Sequence, residues 1–250
     1  NETTGVVITF VEITLLKKAS MLIAERNEEL QSFAYAISHD MSEPARTMKK
    51  YGDLLVEALG KQKDKTVTTL MEELSSASDR LVHMLDGTLQ FSRIITRGEN
   101  FIETSLQDCL SYAKNDLKDL IESTNTYIHT EALPPVQCDA SQMKRVFYEL
   151  ISNSIKFRRH GISPQIDISS KADGNNCIIS IRDNGIGVPV NHLDRLFQIF
   201  FRAHPSPELP GMGIGLAVVK RIVERHNGTI DYKPLDRGSE FIISLPIFQN

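Results

Sequence analysis

Long hydrophobic runs are missing from this 250-residue chain. Its apolar stretches fall well short of the roughly 20 residues a membrane-spanning helix needs, and no signal-peptide pattern is visible. An excess of one charge is missing too. Lys plus Arg number 28 against 32 for Asp plus Glu, a formal net charge of −4. That gives no basic surface of the kind that holds nucleic acid or an anionic membrane. Cysteine is scarce: Cys109, Cys138 and Cys177 are scattered and lack CxxC spacing. This argues against a disulfide framework and for reduced thiols in a cytoplasmic protein. The seven histidines form no HxxxH or HxxE pair, so no protein-built zinc site is expected. Repeats and low-complexity tracts are absent as well. What remains is the composition of a globular protein, 41% hydrophobic and 24% charged, in a length that suits two domains better than one or three. The chain begins at Asn1 rather than Met, and it is expected to be a piece of a longer protein.

The N-terminal part divides by pattern. Gly5 to Thr14 is β-branched and aromatic and reads as a strand. From about Thr14 to Leu59 the pattern is that of a long helix. Leu16, Ala19, Ile23, Arg26, Leu30, Phe33 and Ile37 follow steps of three and four, the seam of a coiled coil. A second step of four then leads to Met41, before Pro44, Met48, Tyr51, Leu55 and Ala58 resume the alternation. Two steps of four in succession amount to a stutter, which locally unwinds a coiled coil. His39 lies beside it, between Ile37 and Met41, and about 100° per residue puts it on the far side of the helix from the seam. Asp40 follows and can hold one imidazole tautomer. Pro44 removes the helical partner of the Asp40 carbonyl and should bend the helix. These features suit an exposed, chemically active histidine, and they equally fit a solvated surface histidine on a kinked helix. After the polar connection Gly60 to Asp64, a second helix to about Arg97 carries Val67, Leu70, Leu74, Ala77, Leu81 and Met84 in strict alternation. A short loop between two such helices predicts an antiparallel hairpin, and two hairpins pairing as a four-helix bundle would cover the seams.

After Gly98 the composition shifts to an α+β pattern. Strands are expected at Phe101–Thr104, Thr126–Thr130, Gln165–Ser169, Cys177–Arg182, Thr229–Tyr232 and Phe241–Leu245, with a turn at Pro134-Pro135. Helices are expected over Leu106–Ile121, from a cap at Asp139 or Ser141 through Ile155, and over Gly213–Asn227, the last closed by Gly228. Three pieces of this region carry polar chemistry. Glu149, Asn153 and Lys156 fall at i, i+4 and i+7, one polar face of an otherwise apolar helix. The Asn153 amide oxygen can hold Mg²⁺ and Lys156 can meet phosphate, although such a face is also what simple solvation produces. Asp183-Asn-Gly185-Ile-Gly187 sits at a strand end, where a carboxylate can accept from an exocyclic amine; alone it could be a turn. Gly211-Met-Gly213-Ile-Gly215-Leu216 opens a helix, whose N–H groups can bind phosphate. The polar, proline-rich stretch Arg202 to Pro210 precedes it.

The Asn153 box, Asp183 to Gly187, Leu196-Phe-Gln-Ile-Phe-Phe-Arg202 and Gly211 to Leu216 stand in the order found in the catalytic domain of sensor histidine kinases. That domain has the Bergerat nucleotide fold shared with heat-shock-90 chaperones, gyrases and mismatch-repair ATPases (the GHKL group). Ser38-His39-Asp40-Met-Ser-Glu-Pro44 resembles the phosphoacceptor box of the phytochrome-like branch, and the likeness extends over about residues 30 to 248. The resemblance implies an α+β fold: a hairpin forming a dimeric four-helix bundle, followed by a Bergerat α/β sandwich. It divides the chain into 1–13, similar to the end of a PAS-type sensor domain; 14–29, a coiled-coil signalling helix; 30–98, for dimerisation and histidine phosphotransfer; and 99–250, for ATP binding.

The resemblance implies His39 as phosphoacceptor, Asp40 activating it, Asn153 on Mg²⁺, Asp183 on adenine and Phe157 against the base. Lys156 and Arg202 would meet phosphates, with Gly185, Gly187, Gly211, Gly213, Gly215 and Leu216 completing the ATP site. The implied partners are a second copy of the chain, the receiver domain of a response regulator and an upstream sensor domain, in the cytoplasm, with no nucleic acid and no membrane contact within this fragment, while the full-length parent could be membrane-anchored. Departures from the family pattern are Glu149 where Asn is common, as in the related ATPases; Met212 for Thr or Ser; Ser154 for Ala; and Glu43 for Thr or Asn. Glu43 predicts weak phosphatase activity toward the regulator, through repulsion of its phosphoryl group. The rival readings are a GHKL-type ATPase or chaperone and a non-catalytic dimeric scaffold.

Overall fold

A computed structural model describes residues 41, 45–55, 57, 69, 71–79, 81–82, 99–204, 209 and 213–248. The expected sensor-domain strand, the coiled-coil segment, His39, Asp40, Glu43, Gly211 and Met212 lie outside these residues.

Residues 45–55 and 71–79 are helical. Lys49 pairs with Asp79, and Ser75 Oγ donates to Asp53 Oδ1 at 2.7 Å. As one partner advances along its segment the other recedes, so over these contacts the two segments run antiparallel. The surfaces turned inward are small: Ala45, Gly52 and Ser78 are buried, and a Cβ at Gly52 would be in ordinary contact with Ser75 Cα at 3.9 Å. The large apolar side chains point elsewhere. Met48, Tyr51, Leu54, Leu55, Leu74 and Leu81 are all exposed, Tyr51 by 63% and Leu74 by 47%.

From residue 102 onward the chain is a layer of helices on a mixed sheet. β1 (Ile102–Ser105) leads into α1 (Leu106–Asp116), and α2 (Lys118–Ser123), β2 (Tyr127–Thr130) and β3 (Pro135–Cys138) follow. α3 (Ala140–Lys156) is the long central helix. β4 (Gln165–Asp173) and β5 (Asn176–Asp183) form a hairpin, and a 3₁₀ turn covers Val190–Arg195. α4 (Gly215–Arg225), β6 (Thr229–Pro234) and β7 (Ser239–Pro246) complete the domain. The main sheet has the order β2-β4-β5-β7-β6, antiparallel except for the β2–β4 pair; β1 and β3 make a separate two-stranded sheet. Ile166, Ile168, Ile179, Ile181 and Ile243 on one sheet face meet Leu106, Leu110, Met143, Phe147, Leu150, Ile151, Val219 and Ile222 from the helices. This alternation of buried and exposed strand residues is the period of two that a sheet covered on one side requires.

Three expectations need correction. The Leu106–Ile121 helix breaks at Leu117, after Asn115-Asp116, whose side chains compete with the backbone for hydrogen bonds. Pro135 starts a strand instead of a turn; proline is tolerated as the first residue of a strand because it gives up no ladder bond there. The left-handed residue that closes α4 is Asn227, at φ 53°, one position before Gly228. Asn227 N–H donates to Glu224 O and Gly228 N–H to Val223 O, the bond pair of a Schellman cap with Asn in the left-handed place.

Candidate active site

α3 builds one wall of a cleft of about 320 Å³. Its N-terminus is fixed by Asp139, whose side chain accepts from Gln142 N–H. Met143, Val146, Phe147, Leu150, Ile151 and Ile155 bury one stripe of the helix. The opposite stripe therefore turns Glu149, Asn153 and Lys156 into the cleft, as the i, i+4, i+7 spacing requires. Phe157 ends the helix and also lines the cleft.

Asp183 enters from the end of β5. Burial raises its carboxyl above the usual range, against hydrogen bonds from Gly185 N–H (2.8 Å to Oδ1), the Ser239 backbone and Ser154. Gly187 lines the cleft, while Gly185 stands behind it and shapes it. A Cβ at Gly185 would come within 2.6 Å of the Phe157 carbonyl oxygen, so only glycine lets this loop lie against the end of α3. Gly213, Gly215 and Leu216 line the cleft at the start of α4. A Cβ at Gly215 would meet Glu149 Oε2 at 2.5 Å and Asn153 Nδ2 at 3.8 Å, so both side chains flank the N-terminus of α4.

Charge of both signs is concentrated here. Glu149 is paired with Arg145 at 2.6 Å and its side chain is only 14% exposed. Burial raises its carboxyl, with Arg145 acting in the other direction. Burial lowers the Lys156 ammonium, and the neighbouring Arg202 guanidinium lowers it further. Arg202 lines the cleft and donates to Leu209 O at 2.8 Å. Two acids pushed up and a lysine pushed down are what partial burial of charged groups in a cleft produces.

The structure thus brings together Asn153, Lys156, Phe157, Asp183, Gly187, Arg202, Gly213, Gly215 and Leu216 from the residues the sequence singled out. It adds Arg145 and His204, which the sequence reading missed. His204 Nε2 lies 2.8 Å from Gly187 O, and its ring centroid is 6.0 Å from that of Phe157. Arg145 was accessible from sequence as the i−4 neighbour of Glu149; His204, in an irregular segment, had no pattern to reveal it.

Residues 138–249 match the family of "Histidine kinase-, DNA gyrase B-, and HSP90-like ATPase" domains. This part of the chain belongs to that ATPase family. The chain is 33% identical over 222 residues to cyanobacterial phytochrome A of Nostoc sp., covering 88% of this chain and 29% of the phytochrome. It is 34% identical over 235 residues to cyanobacterial phytochrome B of the same organism, covering 92% of this chain and 31% of that protein. The sensor protein kinase WalK of Staphylococcus haemolyticus is 27% identical over 230 residues, 87% of this chain and 37% of WalK. The chain thus spans about a third of the length of these curated relatives. In fold it is similar to histidine kinase ThkA crystallised with response regulator protein TrrA, with a TM-score of 0.62 at 19% identity over 91% of this chain and 66% of that one. It is also similar to full-length ShkA in complex with AMPPNP, with a TM-score of 0.59 at 20% identity over 86% and 45% of the two chains. The ATPase domain here carries Glu149 and Asn153 on one helix face against the start of α4.

Proposed function

We propose that the chain is the catalytic core of a sensor histidine kinase: ATP bound in the cleft phosphorylates His39, and the phosphoryl group passes on to an aspartate of a response regulator. The observation that carries this reading is the convergence of the α3 polar face, Asp183 and the N-terminus of α4 on one cleft of nucleotide size. In this reading Asp183 accepts from the adenine amine, Phe157 lies against the base, and Lys156, Arg202 and the glycines from Gly211 to Gly215 hold phosphates. Mg²⁺ supplies positive charge against the triphosphate when it is bound. Asn153 and Glu149 offer the oxygen donors that suit this hard cation, and both flank Gly215. Asp40 favours the imidazole tautomer of His39 that can attack. Catalysis is positioning and charge neutralisation.

Two further parts of the proposal rest on other observations. The apolar seam at Met48, Tyr51, Leu55, Leu74 and Leu81 is exposed in the single chain, which supports a homodimer built by pairing of two hairpins as a four-helix bundle. The response regulator named with ThkA supports the receiver-domain partner. An upstream sensor domain and a cytoplasmic setting complete the reading; no helix among the described residues is long and apolar enough to cross a membrane. A second reading, hydrolysis of ATP by water, is favoured by Glu149 alone, a half-buried carboxylate in the cleft with a raised pKa. Incubation with γ-labelled ATP separates the two. The kinase gives acid-labile, alkali-stable label on the protein, abolished in His39→Gln with ATP affinity within about twofold of wild type. The hydrolase gives free phosphate and no label, and that result sinks the proposal.

A further inference from the structure

A second polar cluster lies outside the cleft lining, at the N-terminus of α3 and the C-terminus of α4. Asp139 is fully buried and spends both carboxylate oxygens. Its Oδ1 caps α3 through Gln142 N–H (3.1 Å) and accepts from Ser141 Oγ (2.7 Å). Its Oδ2 accepts from Glu99 N–H at 2.6 Å and from Arg225 Nη1 at 2.9 Å. Arg225 then reaches Gln142 Oε1 at 2.7 Å and the Glu99 carbonyl at 2.9 Å. Both backbone polar groups of Glu99 are therefore held by this one ion pair. Two residues on, the Phe101 ring packs on the His226 ring at 4.6 Å, with the Arg225 guanidinium carbon 4.9 Å from its centroid. His226 is itself fixed: its Nε2 accepts from Asp139 N–H at 3.0 Å, and its Nδ1–H donates to Ile222 O at 2.7 Å.

The geometry points to Asp139, Arg225 and His226 as positioning residues that anchor the segment Glu99–Phe101 and thereby set the rate at which the bound nucleotide reaches His39. The inference rests on the kinase reading above. Glu99 is the point at which the chain from the helical part enters the ATPase domain. An ordinary surface segment does not bond both its backbone groups to an ion pair whose carboxylate is fully buried. This one does, and its aromatic side chain is clamped as well. The cluster also shares its helices with the cleft. α3 carries Asp139 at its cap and the cleft residues from Arg145 onward, and α4 carries the cleft residues up to Val218 and then Arg225, so at least about 9 Å and about 10 Å of packed helix separate anchor from nucleotide site. The hydrogen bonds that Asp139 and Arg225 make, as given above, go to Glu99, Ser141, Gln142, His226 and each other and not to the cleft lining, so the anchor acts on where the domain is held and leaves nucleotide binding alone. Free joints lose orientation, and orientation is a large part of the rate when a reaction is pure positioning.

The test uses the whole chain. Arg225→Met removes the grip on the Glu99 carbonyl and the cation that holds Asp139 in place, leaving the Glu99 N–H on Asp139 alone. Phe101→Ala removes the packing from the segment's own side and leaves the α3 cap in place, so a folding defect in the first variant does not decide the matter. Both should exchange the Glu99 amide hydrogen at least about tenfold faster, and both should form phosphohistidine about tenfold more slowly at saturating ATP, with ATP Kd within about twofold of wild type. Arg225→Lys, which keeps the charge but lacks the fork, should fall between. An unchanged or faster transfer rate in Phe101→Ala, with Glu99 released, overturns the inference. So does a Glu99 amide as protected in both variants as in wild type. If the wild-type chain takes no label, the kinase reading fails and with it the claim about rate, while the exchange data still decide whether the anchor exists.

Discussion

Two aspartates in this domain end in opposite states. Asp139 and Asp183 each cap a structural junction, and burial pushes both carboxyls up. At Asp139 four hydrogen bonds, one of them from a guanidinium, more than reverse the effect and hold the carboxyl below its usual value. At Asp183 the bonds from Gly185, Ser239 and Ser154 do not offset burial, and the carboxyl stays high. The difference lies in partners. One pole of the α3–α4 pair has acids and bases matched to one another; the other holds Asp183, Glu149 and Lys156 with perturbed protonation and room for a ligand. A satisfied cluster holds a fold together, whereas an under-satisfied one is prepared for something that arrives later.

The largest effect is expected from breaking the matched pole. Asp139→Ala deletes the α3 cap and strips Arg225 of its carboxylate, though Arg225 retains partial access to water. The expected loss is about 2–4 kcal/mol of unfolding free energy, read as a lower urea midpoint at constant m-value. A loss under about 0.5 kcal/mol would mean that the cluster is ornamental. Asp183→Asn, by contrast, should leave stability within about 1 kcal/mol of wild type, because a neutral amide escapes the burial penalty and its one oxygen can still accept from Gly185 N–H while the Ser154 hydroxyl rotates to accept from the amide. Its cost should fall on ATP, with affinity about 10- to 100-fold weaker by calorimetric titration. A triphosphate of unsubstituted purine, lacking the exocyclic amine, should lose much less. Equal losses for the two nucleotides would remove Asp183 from the adenine contact.

The unmatched pole was the legible one. Glu149, Asn153 and Lys156 reveal themselves by spacing on one helix, and Asp183 and Gly213 to Leu216 by compact local motifs. The matched pole leaves no such trace. Asp139 was visible as a cap, but Glu99, Asp139 and Arg225 are separated by 40, 86 and 126 residues in their pairings, and only the folded domain brings them together. Local chemistry also misled at the element ends. Pro135 reads as a turn until its position at the start of a paired strand is known, and Gly228 reads as the helix stop although Asn227 takes the left-handed conformation. In the helical part, alternation located the apolar positions but not which surface is turned inward. Ala45, Gly52 and Ser78 are buried while Tyr51 and Leu74 face out, a choice made by close approach of two backbones.

The smallest and most discriminating prediction concerns pH, because the two poles should respond with opposite sign. Burial lowers the pKa of His226 from its ordinary 6.5, and the nearby Arg225 charge lowers it further, against the Ile222 and Asp139 contacts. The unfolded chain therefore binds a proton at this site before the folded one does. The stability His226 contributes is fully present above about pH 6.5 and is lost as pH falls from there toward the folded pKa. The geometry agrees with this sign: protonated Nε2 would turn a donor toward the Asp139 N–H that it now accepts from. Asp139 adds a second loss in the same direction at lower pH, since its lowered carboxyl is protonated more easily in the unfolded chain. Asp183 and Glu149 run the other way. Their raised carboxyls take up a proton in the folded state first, so the folded state gains relative stability as pH falls through their folded pKa values toward the ordinary 3.8 and 4.5. Urea midpoints of wild type, His226→Asn and Asp183→Asn between pH 7.5 and 5 separate the contributions. His226→Asn should flatten the decline seen in wild type over this range, because the amide can keep one of the two contacts and has no proton to gain. Asp183→Asn should steepen the decline at the acid end, in titrations carried on toward pH 3.8, by removing a group whose protonation offsets the loss. A wild-type decline that His226→Asn leaves unchanged would place the titrating group elsewhere and end the contrast between the two poles.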